Sequence, residues 1–468
     1  MRRTKIVATI GPACRDLVTL TRMAEAGMDV ARLNFSHGNR EMHAENAELV
    51  RRAASAAGRQ VAILQDLPGP KIRIGRLADD IAELKPGEKL VLICGNNVVG
   101  NGERMAVSWG GLASAVDPED IIYLADGAIR LRVKTVREGD GEVETAVEIG
   151  GTVASRQGLN IPGSTRGLPA VPEEDLDMLR FGESIGVDLV ALSFVRTAED
   201  VTSVRRHTRL PLIAKIEKPQ AVDAAEEIIR AADCVMVARG DLGIELPIED
   251  VPIVQKQLLR VAGKLARPSI TATQMLDSMV NSSRPTRAEV ADVANAILDG
   301  TDAVMLSQET AIGSYPVGAV EMMASVAERT EHTLPYRSWN EERVRRDARD
   351  PAYTVAYSAC AAARDLHLAA LVVPTLSGRS ARLISAHRPQ VPIYALSPGK
   401  ETVRRCNLMW GVQAGSMRRH EVTEALIADS ARRVVELGWV KPGARVGITA
   451  GLPSGRPGTT SLMQIQRV

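Results

Sequence analysis

Eight short runs of β-branched and apolar residues, most of them followed by an amphipathic helical stretch, leave this chain few ways to fold. The runs are Lys5–Ile10, Val30–Phe35, Val61–Gln65, Leu189–Phe194, Leu212–Ile216, Cys234–Ala238, Ser269–Thr273 and Ala303–Leu306, with helical patterns such as Ala221–Ala231 and Thr286–Leu298 between them. Strands alternating with helices build a parallel sheet, and eight such units predict an α/β fold closed into a (β/α)8 barrel. The spacing breaks once, after the third run, where more than a hundred residues intervene. From about Leu67 to Leu168 that insertion is rich in glycine and short alternating runs (LVLIC, IIYLADG, IRLRVKTV, ETAVEIG), the pattern of a small β-barrel or sandwich set in a barrel loop, where a lid over the active-site face is expected. A charged stretch, RSWNEERVRRDARD, then leads into a second alternation of helix and strand (AALVVPT, VPIYALSP, WGVQAGS, ARVGITAG), which predicts an open C-terminal α/β domain. The expected division is residues 1–68 and 169–335 for the barrel, 69–168 for the lid and 345–468 for the C-terminal domain.

Bulk properties exclude several functions. A formal net charge of +1 over 468 residues provides no global field for nucleic acid or an anionic membrane. Aromatic residues at 3% do not supply a base-stacking platform. No run approaches the roughly 18 apolar residues of a membrane span. Cys14, Cys94, Cys234, Cys360 and Cys406 are odd in number and widely spaced, which suits buried thiols in a reducing cytoplasm better than disulfides or a zinc site. The opening MRRTKIVATIG enters a strand pattern at once and carries no signal-peptide h-region, so a cytoplasmic location is expected.

In such a barrel, chemistry belongs at the C-terminal strand ends. Polar residues gather there: Arg32, Asn34, Ser36 and His37 after the second run, Asp66 after the third, Lys215 and Glu217 at the fifth, Arg239 and Asp241 at the sixth, Thr273 at the seventh, Ser307 and Glu309 at the eighth. Period-two alternation puts Lys215 and Glu217 on one face and Ile216 on the other. Lysine beside glutamate is by itself an ordinary ion pair. With Asp241 arriving from the next strand, the two carboxylates can instead share one hard cation such as Mg2+, leaving the ammonium to stabilise a transferring phosphoryl group. Gly240 and Gly243 in MVARGDLG allow a ligand close to backbone amides, or simply make a tight strand-to-helix turn. Walker, H-E-x-x-H, G-x-S-x-G and G-x-G-x-x-G motifs are absent.

The segments TKIVATIGPAC, ARLNFSHG, DLPGPKIR, AKIEK, MVARGDLGIEL, TATQMLDSM, RPTRAEVADVANAILDGTDAVMLSQETA and TLSGRSA, in this order and spacing along the whole chain, strongly resemble the pyruvate kinases. The resemblance implies phosphoryl transfer from phosphoenolpyruvate to ADP, giving pyruvate and ATP. It implies Mg2+ or Mn2+ on Glu217 and Asp241, Lys215 on the phosphoryl in flight, and Arg32 and Arg73 on phosphoryl and nucleotide oxygens. His37 and Asn34 would lie near the nucleotide. The amides of Arg239, Gly240 and Asp241 with Thr273 would hold the substrate carboxylate, and Thr273 and Ser307 would deliver a proton through water. Asn34, Ser36, Asp66 and the carbonyl of Leu67 match a monovalent-cation site. Lys71 stands where potassium-dependent members carry glutamate, so activity without added K+ is expected. Gln308 replaces the small residue usual after the serine. Thr375, Ser377, Gly378, Arg379 and Ser380 resemble an effector phosphate loop, with the loop 451–458 expected to close over the remainder of a phosphorylated effector. Leu376 replaces a lysine there, which favours a monophosphate. A homotetramer is also implied. A magnesium-dependent carbon–carbon lyase would explain Glu217 and Asp241, but not the lid or the C-terminal domain; a catalytically dead sensor would have lost Lys215, Glu217 or Asp241.

Overall fold

The computed structural model describes residues 2–95, 98–125, 127–162, 171–344, 350–451 and 460–468. Eight parallel strands, β1 (Lys5–Thr9), β2 (Val30–Asn34), β3 (Ala62–Asp66), β4 (Leu189–Leu192), β5 (Leu212–Ile216), β6 (Cys234–Ala238), β7 (Ser269–Ala272) and β8 (Ala303–Leu306), close in sequence order into a barrel. Alternation sorts their side chains into two cores. Val7, Val30, Leu64, Ala191, Ile213, Met236, Ile270 and Met305 fill the interior. Ile6, Ala31, Ile63, Val190, Ala214, Ile216, Val237 and Val304 face the surrounding helices. Continuing the interior set two residues further along each strand leads to the C-terminal rim. Packing inside the barrel therefore dictates which polar residues look into its mouth.

Helix boundaries follow local chemistry. Asp16 caps the helix Leu17–Ala26 by accepting from Thr19 N, and Thr286 with Glu289 forms a capping box at Arg287–Leu298. The single helix expected over Ala221–Ala231 is instead two, Pro219–Asp223 and Ala225–Ala231, because Ala224 leaves helical geometry at φ −92°, ψ 17°.

In the insertion, Leu159–Asn160, Ile121–Leu124, Ile129–Arg137, Glu142–Ile149, Lys89–Cys94 and Arg104–Val107 form a six-stranded sheet in that order, and Ile81–Leu84 pairs separately with Gly151–Ala154. The regular ladder is open, but Arg73 bridges Gly158 at one edge and Ile74 bridges Val107 at the other, so this short segment links the two edges. Leu90, Leu92, Leu131, Val133 and Val143 form a core separate from the barrel's.

The C-terminal sheet has the order Val412–Ser416, Ile393–Ser397, Ala370–Pro374, Arg445–Gly451, Thr460–Arg467. The last strand runs antiparallel and was not among the expected runs. Contacts to the barrel concentrate at the N-terminal strand ends. Arg388, fully buried, bonds Asp302 before β8 at 2.8 Å; Arg404 bonds Asp188 before β4 at 2.7 Å; Lys5 of β1 donates to the carbonyl of Val412 at 2.7 Å. Among the described residues no helix is long and apolar enough to cross a membrane.

Candidate active site

At the C-terminal mouth of the barrel lies a cavity of about 650 Å3, lined among others by Thr9, Arg32, Asn34, His37, Asp66, Lys215, Asp241, Thr273, Ser307 and Gln308. These side chains arrive by the interior parity of their strands: Val7 leads to Thr9, Val30 to Arg32 and Asn34, Leu64 to Asp66, Ile213 to Lys215 and Met305 to Ser307.

Lys215 is buried and sits 2.8 Å from Glu217 Oε1 and 3.4 Å from Asp66 Oδ1, and it donates to Ser193 Oγ at 2.7 Å. Burial opposes its charge, but Asp66, Glu217 and Asp241 outweigh that and raise its pKa above the usual lysine value. It is an ammonium at any working pH. Arg32 donates to Asp66 Oδ2 at 2.6 Å and to Thr9 Oγ1 at 3.0 Å. Desolvation pushes Asp66 up, yet Lys215 and Arg32 hold it below the usual carboxylate range. Glu217 behaves in the opposite way. Burial and the nearby charge of Asp241 raise it despite Lys215 and the Phe194 N–H, which donates at 2.7 Å.

Two carboxylates in one field that a single ammonium does not fully satisfy are suited to a divalent ion. Among the described residues no three acidic, histidine or cysteine side chains converge as a metal cage. An ion here would rest on Glu217 and Asp241 and complete its shell with water and substrate oxygens, as Mg2+ does.

The corner of the cavity at Thr273 is strained. Thr273 (φ 71°) and Gln274 (φ 52°) both occupy the left-handed region, which costs on the order of 1–3 kcal/mol each and persists only where the surroundings impose it. Arg239 imposes it: its guanidinium donates to Ala272 O at 3.2 Å and Thr273 O at 2.7 Å and is held by Asp292. The Arg239 side chain thus braces the loop from behind, while Gly240 N donates to Thr273 Oγ1 at 2.7 Å. Glu309 accepts from Ser307 N and Leu276 N and is likewise a brace, whereas the buried Ser307 Oγ has no hydrogen-bond partner among the described residues. Burial and the charges of Lys71, Arg73 and Arg32 lower the pKa of His37.

Other expected residues are not among those that line the cavity. Arg73 is at the root of the inserted sheet domain, donating to Arg156 O at 3.0 Å. Lys71 is exposed and lines a smaller cleft beside Asn160, Phe194 and Lys218. Ser36 N donates to Asn34 Oδ1, and Leu67 O accepts from Ser193 Oγ. In the C-terminal domain Gly378 (φ 83°) caps the helix Arg379–Ala386 and donates to Thr375 Oγ1 at 2.9 Å, Arg379 pairs with Asp350, and Ser380 with Thr460. Of the loop 451–458, residues 452–458 lie outside the described residues.

Thr9, Ser193 and Phe194 escaped the sequence reading. The parity that exposes Lys215 would have found the first two, since Ala191 faces inward and Ser193 is its next inward neighbour.

The family model for the pyruvate kinase barrel domain matches residues 1–320, and that for the pyruvate kinase alpha/beta domain matches 353–466. A pyruvate kinase of Geobacillus stearothermophilus is 44% identical over 470 residues, covering 99% of this chain and 80% of the relative. A pyruvate kinase of Staphylococcus aureus (strain MRSA252) is 42% identical over 473 residues, covering 100% and 81%. The crystal structure of a pyruvate kinase from Cryptosporidium parvum superposes with a TM-score of 0.93 at 33% identity, covering all of this chain and 96% of the other.

Proposed function

The chain belongs to the pyruvate kinase family, a family of phosphotransferases that act on phosphoenolpyruvate and ADP and generally use Mg2+, and on that premise we propose which of its residues do what. The Lys215 ammonium, kept charged by Asp66 and Glu217, stabilises the phosphoryl group as its bond to the enol oxygen breaks and one to ADP forms. Arg32 and Arg73 contact the phosphoryl and nucleotide oxygens, with His37 and Asn34 beside the nucleotide. The substrate carboxylate takes over the Gly240 N–H now given to Thr273, along with the amides of Arg239 and Asp241 and the Thr273 hydroxyl. Thr273 and Ser307, through water, return a proton to the enolate carbon. Glu217 and Asp241 hold the divalent ion, which when bound offsets negative charge on the enolate and phosphoryl oxygens.

The observation that carries this reading is the pair of carboxylates in one field with a buried ammonium beside them. Lys215→Met is expected to lower kcat for ADP-dependent pyruvate formation by about 10²–10³-fold with little change in substrate KM. A variant with undiminished kcat overturns the assignment. Absence of ADP-dependent pyruvate formation from the wild type favours the lyase.

Lys71 carries the second proposal, activity without added K+, its ammonium standing in for the monovalent ion otherwise placed by Asn34, Ser36, Asp66 and the Leu67 carbonyl. In support, Lys71 has no ion-pair partner among the described residues, and its charge reaches His37. Lys71→Glu should then make activity depend on K+; strong stimulation of the wild type by K+ would count against it. We propose further that Thr375, Ser377, Gly378, Arg379 and Ser380 bind a phosphorylated effector, for which Arg379 must leave Asp350. The domain limits 1–68 with 169–335, 69–168 and 345–468, a homotetramer and a cytoplasmic location complete the proposal.

A further inference from the structure

The lid begins at Leu67–Gly69, directly after the strand that supplies Asp66, and two buried polar side chains hold that segment. Asp175, on the helix Glu173–Ser184, accepts from Gly69 N at 2.8 Å. Ser193, just past β4, donates to Leu67 O at 2.8 Å and accepts from Lys215 Nζ at 2.7 Å. A hydroxyl has one hydrogen. Because Ser193 gives it to the hinge carbonyl, only lone pairs remain to face the ammonium. Gly69 has φ 69°, and a Cβ there would fall 2.8 Å from the Phe194 ring and 3.0 Å from Ser193 Cβ, so hinge and β4 end are in contact with no slack. Phe194, itself at φ 56°, gives its amide to Glu217. Lys215 Nζ is held at 2.8 Å by Glu217 and at 2.7 Å by Ser193, while Asp66 Oδ1 lies at the longer 3.4 Å and has no hydrogen-bond partner among the described residues. The side of the ammonium toward Asp66 is the one left for an incoming phosphoryl oxygen.

We propose that Ser193 is a positioning residue that couples the lid hinge to the Lys215 ammonium, with Asp175 anchoring the same hinge at Gly69. Movement of the lid root then shifts the ammonium, so the lysine is aimed only when the hinge is seated. This inference rests on the role given to Lys215 above.

The test is a kinetic cycle on the full chain with Ser193→Ala, Asp175→Ala, the double variant, Asp175→Asn and Lys215→Met. Ser193→Ala should lower kcat about tenfold or more while KM for phosphoenolpyruvate changes less than about threefold. Asp175→Ala should lower kcat and raise KM for ADP, Asp175→Asn should restore most of both, and the double variant should be less impaired than the product of the single effects. Multiplying effects, or Ser193→Ala with kcat within twofold of wild type, overturn the coupling. If Ser193→Ala does not fold, Asp175→Ala with wild-type kcat overturns it equally. Should Lys215→Met keep full activity, the role of Lys215 fails, whereas an inactive Lys215→Met beside an unaffected Ser193→Ala defeats the coupling alone.

Discussion

Asp175 is a carboxylate with one amide donor and almost no water, and its energetics follow from that. Burial raises its pKa from 3.8 to about 6, the Gly69 N–H opposes the rise, and the charges of Glu174 and Asp66 add to it. A carboxyl raised on folding binds its proton more tightly in the native state, so stability is highest at low pH and declines between pH 4 and 6. Asparagine can accept the same hydrogen bond without the charge. Asp175→Asn should match wild type near pH 4 and exceed it by up to about 3 kcal/mol at pH 7.5, at about 1.4 kcal/mol per pKa unit. Parallel denaturant titrations at the two pH values would show this, and a pH-independent difference would refute it. Strand alternation made Lys215 and Glu217 legible because their neighbours along the chain set their direction. Asp175 and Gly69 are more than a hundred residues apart, and nothing local to either announces the other.

Among the elements, the segment leading into the inserted domain is confined by sterics at Gly69. Gly69→Ala would put a methyl into Phe194 and Ser193 at a positive φ, a cost of roughly 1–3 kcal/mol from the backbone alone. Expected are a lower Tm and a reduced kcat together, and a variant altered in neither would mean that the hinge relaxes freely. The barrel strands could be read because each is a short apolar run whose alternate residues are buried on both faces. Closure of the lid sheet by Arg73 and Ile74, and the final strand Thr460–Arg467, could not. The first depends on isolated bridges between distant edges, and the second (TSLMQIQR) is a half-exposed edge strand with little apolar signal.

For the molecule as a whole, the C-terminal domain grips the barrel at the end away from the chemistry. Arg388 is fully buried against Asp302, whose other oxygen accepts from the Ser269 amide at the start of β7. Removing one partner of a buried pair strands the other charge and typically costs about 3–5 kcal/mol. Arg388→Met should therefore lower stability on that scale and let the two domains melt separately in calorimetry. A single unshifted transition would show that the interface does not depend on this pair. By itself the sequence determined the barrel, its order and the inward polar set at the rim, since strand period, burial and chain order are local properties. Tertiary structure alone decided which carboxylate shares a field with which, that the Arg239 side chain braces the Ala272–Thr273 backbone, and that Ser193 gives its hydrogen to the Leu67 carbonyl. Those outcomes depend on approach between distant segments and on the low dielectric they create on meeting, neither of which is written in any one stretch of chain.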